Sequence, residues 1–299
     1  MNPKERVWVG RLTHRTAHDD FERALDNVLR PVPADVRLIT IKINLCDYRR
    51  AESGATTDPV VLGAMLDVLH NRYAGARIVV FENAATSLDV WAAYRLLGFT
   101  EMANVHGAEL VDVSQAEWIR KPVPHGRFFQ ELEVPAIVDA SDLFINFAKL
   151  KTNGLTKMSG CLKNLFGVIR MKRKVILHNR VDDAIVDINK VLRPDLCVVD
   201  GVIAHEGIGG PAFGTPKRCD LLVAGLNSVA VDACCAKIMG FRPRTIRHLN
   251  LCAKCGLGPL DYHLDTELRG FSYRNYSFKF QFIEYLLRNL LRARAGVAA

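Results

Sequence analysis

The sequence predicts an α/β fold: a doubly wound, mainly parallel sheet in two lobes, followed by a C-terminal amphipathic helix. Three observations predict it. Apolar, β-branched runs of strand length recur along the chain. Segments of helical length separate them and stop at Gly or just before Pro. The 299 residues are 49% hydrophobic and 24% charged, a globular balance that excludes extensive disorder and fibrous architectures.

Residues 6–12 read as a short strand and 18–29 as a helix ahead of Pro31. Residues 36–45 (VRLITIKINL) form a buried strand. Thr57-Asp58-Pro59 then opens a helix, with a polar cap and Pro set for the first turn, that runs to about Tyr73 before Gly75. Residues 76–81 are the next strand and 88–97 the next helix, stopped at Gly98. Strand, helix, strand of this length is a parallel βαβ unit. Residues 109–113 and 143–147 read as strands joined by irregular, Pro-containing chain. Residues 155–169 and 182–192 read as helices, 196–203 and 219–224 as strands, and 228–239 and 245–255 as helices. Residues 278–294 carry an apolar stripe at helical spacing, flanked by Lys279, Arg288, Arg292 and Arg294. The expected organisation is an N-terminal α/β lobe at 1–148, a second α/β lobe at 149–265, and a basic amphipathic tail at 266–299.

The formal charge of +8 is unevenly placed. Residues 149–180 hold nine basic side chains and no acid, and residues 269–299 hold six basic side chains and one acid, Glu284. Everything else carries 25 basic and 31 acidic residues. Two basic zones on a mildly acidic body exclude a protein that coats polyanions diffusely. No apolar segment opens the chain and no run of about 18 uncharged apolar residues occurs, so a cytoplasmic protein with reduced thiols is expected.

Chemistry concentrates in two stretches. In the first, Lys149 to Gly167, lysines, small residues and hydroxyls follow a strand end, which suits an anion site. Lys149 and Lys151 share one side if the chain stays extended, and Thr156, Gly160, Lys163 and Gly167 share a face if it is helical. In the second, Asp200 sits inside an apolar strand, where its carboxylate needs a partner, and a lysine from the preceding segment is the obvious one. The loop that follows, with His205, Glu206, Gly207, Gly209 and Gly210, can offer backbone N–H groups to an anion. Lys42, Asn44 and Glu82 lie at the ends of the first long strands and face the lysine-rich segment if those strands are neighbours.

These pieces resemble the domain-of-unknown-function 362 family over roughly residues 36–258. The matching positions are Lys42-x-Asn44, Thr57-Asp58-Pro59, Glu82, Lys149-x-Lys151-Thr152, Lys163-Asn164-x-x-Gly167, His178, Asp200-Gly201, Glu206-Gly207, Gly210-Pro211 and Asp232. The resemblance implies a two-lobed α/β fold; some members carry ferredoxin-type iron–sulfur modules, whose C-x2-C-x2-C run this chain lacks. It departs from the pattern at Asn153, where the family usually has His.

The residues support first an enzyme that binds a small anionic substrate or cofactor in an interlobe cleft. Lys42, Asn44, Lys149, Thr152, Lys163, Asn164, Gly207, Gly209 and Gly210 would hold phosphate or carboxylate, and Lys151, His178, Asp200 and Glu206 would supply charge and acid–base groups. A second reading is an iron–sulfur cluster or divalent metal on Cys234, Cys235, Cys252 and Cys255, against simple packing of those thiols. A third is a non-enzymatic membrane-surface or partner contact through residues 278–294, against docking of that helix on the body. Nucleic acid is not expected, because the arginines form no groove-reading motif.

Overall fold

The computed structural model describes residues 6–28, 35–85, 88–171, 173–207, 214–279 and 290. In chain order its elements are β1 (Arg6–Arg11), α1 (Ala17–Val28), β2 (Leu38–Lys42), α2 (Pro59–Arg72), β3 (Arg77–Glu82), α3 (Val90–Leu96), α4 (Phe99–His106) and β4 (Glu109–Asp112). There follow β5 (Trp118–Pro122), β6 (Glu131–Pro135), α5 (Ala136–Asp139), β7 (Leu143–Asn153), β8 (Lys157–Met158), α6 (Cys161–Asn164) and α7 (Val181–Val191). The last are β9 (Leu196–Glu206), β10 (Thr215–Gly225), α8 (Ser228–Ile238), α9 (Arg247–Lys254) and β11 (His263–Thr266). The local signals act as expected. Asp58 caps α2 by accepting from Val60 N at 2.9 Å, with Pro59 in the first turn.

The main sheet runs β11-β1-β10-β9-β7-β2-β3-β4, with β8 added to β7 and a separate β5–β6 ribbon. Pairings are parallel from β9 through β4 and between β1 and β11; β10 runs against its neighbours β1 and β9, and short β8 runs against β7. The core lies on both faces. Along β7, Leu143, Ile145 and Phe147 pack toward α1 to α4, while Phe144, Ala148 and Leu150 pack toward α6 to α9. That alternation is the strand's period of two, and burial on both faces explains why β7 reads as a continuous apolar run. Each such fully buried Leu, Ile or Phe contributes roughly 1.5–3 kcal/mol.

Several expectations are corrected here. The chain from 155 to 169 is not one helix. It turns back as β8, makes the single turn α6, and continues as a 3-10 turn at Leu165–Val168. Side chains take the N–H groups a helix would use: Asn153 Oδ1 accepts from Leu155 N and Thr156 N, and Asp232 accepts from Cys161 N and Leu162 N. Lys157 and Gly160 have φ of 68° and 87°, outside the helical region. Thr156, Gly160, Lys163 and Gly167 therefore share no helical face. Strand β7 extends to Asn153, so Lys149 and Lys151 lie within it rather than after it. Helix α4 lies past the expected stop at Gly98, in chain assigned no element, and the β5–β6 ribbon occupies chain read as irregular.

The boundary expected between residues 148 and 149 falls inside β7, at the middle of the sheet. Strand β1 from the first segment pairs with β10 from the second. One sheet thus takes strands from both expected lobes. Beyond Lys279, the expected helix at 278–294 lies outside the described residues except for exposed Leu290. No helix among the described residues is long and apolar enough to cross a membrane.

Candidate functional site

Parallel pairing from β9 through β3 brings four strand C-terminal ends to one edge, where ligands of such sheets bind. Among the described residues five lysines reach this region, and their partners divide them. Lys42 Nζ lies 2.6 Å from Glu82 Oε1 and donates to Ile43 O at 2.7 Å. Glu82 is filled further by Leu45 N and Asn83 N, both at 2.9 Å. Lys149 Nζ lies 2.6 Å from Asp200 Oδ2, and Asp200 Oδ1 accepts from Val202 N. Both pairs are at most 2% exposed, so each is a closed, neutral unit.

Lys151 is held differently. It donates to Asn44 Oδ1 at 2.6 Å, Ala55 O at 2.8 Å and Cys46 Sγ at 3.4 Å, which uses its three donors. A bulge in β9 between the Lys149–Asp200 and Lys151–His205 pairings lets these two lysines take separate partners. Asn44 is oriented by a chain of amides. Asn146 Nδ2 donates to Cys161 O, Asn164 Nδ2 to Asn146 Oδ1, and Asn44 Nδ2 to Asn164 Oδ1, each at 2.8 Å. The relay crosses β7, α6 and β2 and leaves Asn44 Oδ1 facing the ammonium. Asn146 was missed in the sequence; its signal is an amide inside the apolar run LFINF, where it must be paired.

Lys163 and Lys174 complete the cluster. Lys174 Nζ donates to Gly167 O at 2.6 Å. Its pKa is pushed down to about 8 by burial, with the positive charges of Lys42 and Lys163 adding and Glu82 opposing. Lys163 is half-buried, and burial of its ammonium lowers its pKa, with Cys46 opposing and Lys151 adding. Among the described residues its nitrogen has no hydrogen bond or ion pair, only the Phe166 ring with its centre 5.8 Å away. Lys151, Lys163 and Lys174 thus have no carboxylate partner among the described residues. The arrangement can hold and stabilise negative charge.

Other expected site residues lie elsewhere. Thr152 Oγ1 donates to Gly207 O at 2.8 Å. Glu206 Oε2 accepts from Lys279 N at 3.0 Å and sits 3.4 Å from Lys217 Nζ, while Gly207 N donates to Lys279 O. His205 Nδ1 is 2.8 Å from Ser53 O. His178 is half-buried on the 3-10 turn Lys174–Arg180. Gly209 and Gly210 are outside the described residues. Asp200 is engaged by Lys149, and Glu206 by Lys279 N and Lys217, so neither carboxylate is paired with Lys151, Lys163 or Lys174. Two concavities, of about 260 Å³ beside the start of α8 and about 510 Å³ between α1, α2 and α4, take none of the five lysines.

The cysteines do not assemble as ligands. Cys234, Cys235 and Cys252 are buried and Cys255 is exposed. Burial pushes the Cys234 thiol up to about 12 and raises Cys235 and Cys252 as well, which disfavours the thiolate a metal needs. Among the described residues, the donor group close enough to share an ion is half-buried His18 with exposed Asp19 and Glu22, and it contains no thiol.

Comparison with known proteins gives three findings. The family model Domain of unknown function (DUF362) matches residues 39–237, more than half of the chain. The Thylakoid-associated protein sll1697 of Synechocystis sp. is 33% identical over 138 residues, 44% of this chain and 43% of that protein. The match thus spans less than half of that relative's length. The lactate racemase apoprotein of Thermoanaerobacterium thermosaccharolyticum aligns at 13% identity and a TM-score of 0.43, over 77% of this chain and 56% of that one.

Proposed function

We propose, for a chain that belongs to the domain-of-unknown-function 362 family, that the strand ends of its sheet bind a small carboxylate- or phosphate-bearing molecule. The observation that supports this is the set of ammoniums without carboxylates, Lys151, Lys163 and Lys174, beside two lysines that have theirs. Desolvated like charges are costly when unpaired, and an anion relieves that cost. Lys163 and Lys174 make the direct contacts, and Lys151, saturated by Asn44, Ala55 and Cys46, contributes field. Acting as an enzyme, the site stabilises charge that develops on the bound anion, and Lys174 exchanges a proton near neutral pH. Lys42–Glu82 and Lys149–Asp200 serve as scaffold.

Calorimetry with inorganic phosphate and with lactate tests the reading. An anion raises the pKa of a nearby ammonium, so binding at a pH of about 8 takes up protons, visible as a buffer-dependent enthalpy. Lys163→Met is expected to weaken binding about tenfold or more, as loss of a charge-assisted bond does. No binding of either anion, or binding that Lys163→Met leaves unchanged, sinks the proposal.

A further inference from the structure

Helix α1 carries acids of two kinds. Asp20 is held by Arg23, by the Thr16 hydroxyl and by Thr13 N, and Asp26 is held by Arg72. Asp19 and Glu22 are exposed and accept no hydrogen bond among the described residues, and Arg23, next to Glu22, is turned to Asp20 and Glu267. His18 stands one turn before Glu22, on the same face of α1. Its Nδ1 lies 3.6 Å from Asp19 Oδ1, too far for a hydrogen bond. One donor atom from each of His18, Asp19 and Glu22 lies within 4.8 Å of the other two. Two ligands of one tetrahedral zinc, at bonds of about 2.1 Å, stand about 3.4 Å apart, so small side-chain rotations close the difference. His18 also lines the concavity of about 510 Å³ between α1, α2 and α4, which has apolar walls from Val60, Ala64, Met102 and Val105. Two other histidines line it, His14 and His106, and both are already hydrogen-bonded, at 2.6 Å to Asp58 and 2.7 Å to Asp67. Among the described residues the His18 ring has no hydrogen bond.

We propose that His18, Asp19 and Glu22 form a site for a divalent transition metal of the zinc kind at the rim of this concavity. A neutral imidazole and two carboxylates bring the charge that a divalent cation cancels. The imidazole favours zinc over magnesium and calcium, which take oxygen ligands. Three protein ligands leave a coordination position open, as in sites where zinc holds water or substrate. His18 joins the ion to the concavity, so a molecule seated there can fill the open position. Arg15 lines the same concavity and has no acid partner among the described residues, which favours an anionic donor. The ligand class is therefore a small molecule with an apolar body and a carboxylate at one end. None of these residues belongs to the strand-end lysine cluster, so the metal site stands or falls separately from the anion site.

Calorimetry of the full, reduced chain with zinc chloride tests the site. One zinc per chain is expected, bound about tenfold or more weakly by His18→Ala and by Glu22→Gln. Cys255→Ser, which removes the exposed thiol, is expected to bind zinc as the wild type does. Should His18→Ala fail to fold, Glu22→Gln decides, because Glu22 is exposed. With cobalt chloride in place of zinc, visible bands are expected without near-ultraviolet sulfur-to-metal absorption. No zinc binding, binding that both α1 variants leave unchanged, binding lost in Cys255→Ser, or sulfur absorption overturns the site. Benzoate, an apolar carboxylate, is expected to shift the cobalt bands of the wild type. Unshifted bands overturn the open position and its ligand class.

Discussion

A lysine nitrogen inside a sheet is tolerable only through what it meets, and the five lysines here meet different things. Lys149 and Asp200 are a closed pair, so removing one leaves an uncompensated buried charge. Lys149→Met is expected to lower stability by about 3–5 kcal/mol in urea unfolding, whereas Lys149→Met with Asp200→Leu recovers most of that loss. Phosphate affinity is expected to be the same in the double variant; a collapse of binding would return this pair to the site. Asp232 shows the opposite case of a carboxyl whose charge is disfavoured. Burial pushes it up to about 7 against the hydrogen bonds from Leu162 and Cys161. Unfolded, it titrates at about 3.9, so between about pH 4 and pH 7 the folded chain binds the extra proton. Its contribution is fully present below the unfolded value and is lost as pH rises through the folded one, with a slope of up to about 1.4 kcal/mol per pH unit. Asp232→Asn is expected to flatten that slope in urea titrations across this window. The Lys149–Asp200 pairing was legible from the sequence, because a carboxylate in an apolar strand demands a cation. That Lys163 has no carboxylate among the described residues was not, since what a nitrogen meets is set by neighbours distant in the chain.

At the level of elements, the stretch from β7 to α6 decides the site, and it is the stretch the sequence misleads on. Its small and polar residues recur at helical spacing, yet Asn153, Asp232 and positive φ at Lys157 and Gly160 fold it as a hairpin and a single turn. Gly160 is required there twice over, by its φ of 87° and because a Cβ would collide with Asp232 Oδ1. Gly160→Ala is expected to destabilise by more than about 1 kcal/mol, measured as a shift in urea midpoint without a change in slope. A neutral result would mean the turn is looser than its contacts imply. The amide relay is the second device of this scale. Asn146→Leu strands Cys161 O and a donor of Asn164, at about 1–3 kcal/mol for each group. Because the relay also aims Asn44 at Lys151, the same change is expected to weaken phosphate binding, by calorimetry, in a variant that still melts cooperatively.

For the whole molecule, strand order governs what can fold alone. Residues 149–265 lack the part of β7, residues 143–148, that lines most of β9, and lack β1 beside β10, so the fragment leaves edges of β9 and β10 unpaired. Expressed separately, it is expected to show no cooperative thermal transition, whereas the full chain does; a cooperative melt of the fragment would support a boundary near residue 148. The sequence by itself determined the α/β class, most strands and helices, the caps and stops, the family, and the stretches where charge collects. Those follow from local causes: periodicity two or 3.6, β-branching, Gly and Pro, and the rule that buried polar groups need partners. Only the tertiary structure decided which lysines are neutralised by carboxylates among the described residues, that β10 runs against its neighbours, that β1 joins the sheet beyond β9, and that no thiol enters a group of three or more metal-type donors among the described residues. Those depend on pairings between residues as far apart as Asn44 and Lys151 or Val9 and Val223, which no local pattern encodes.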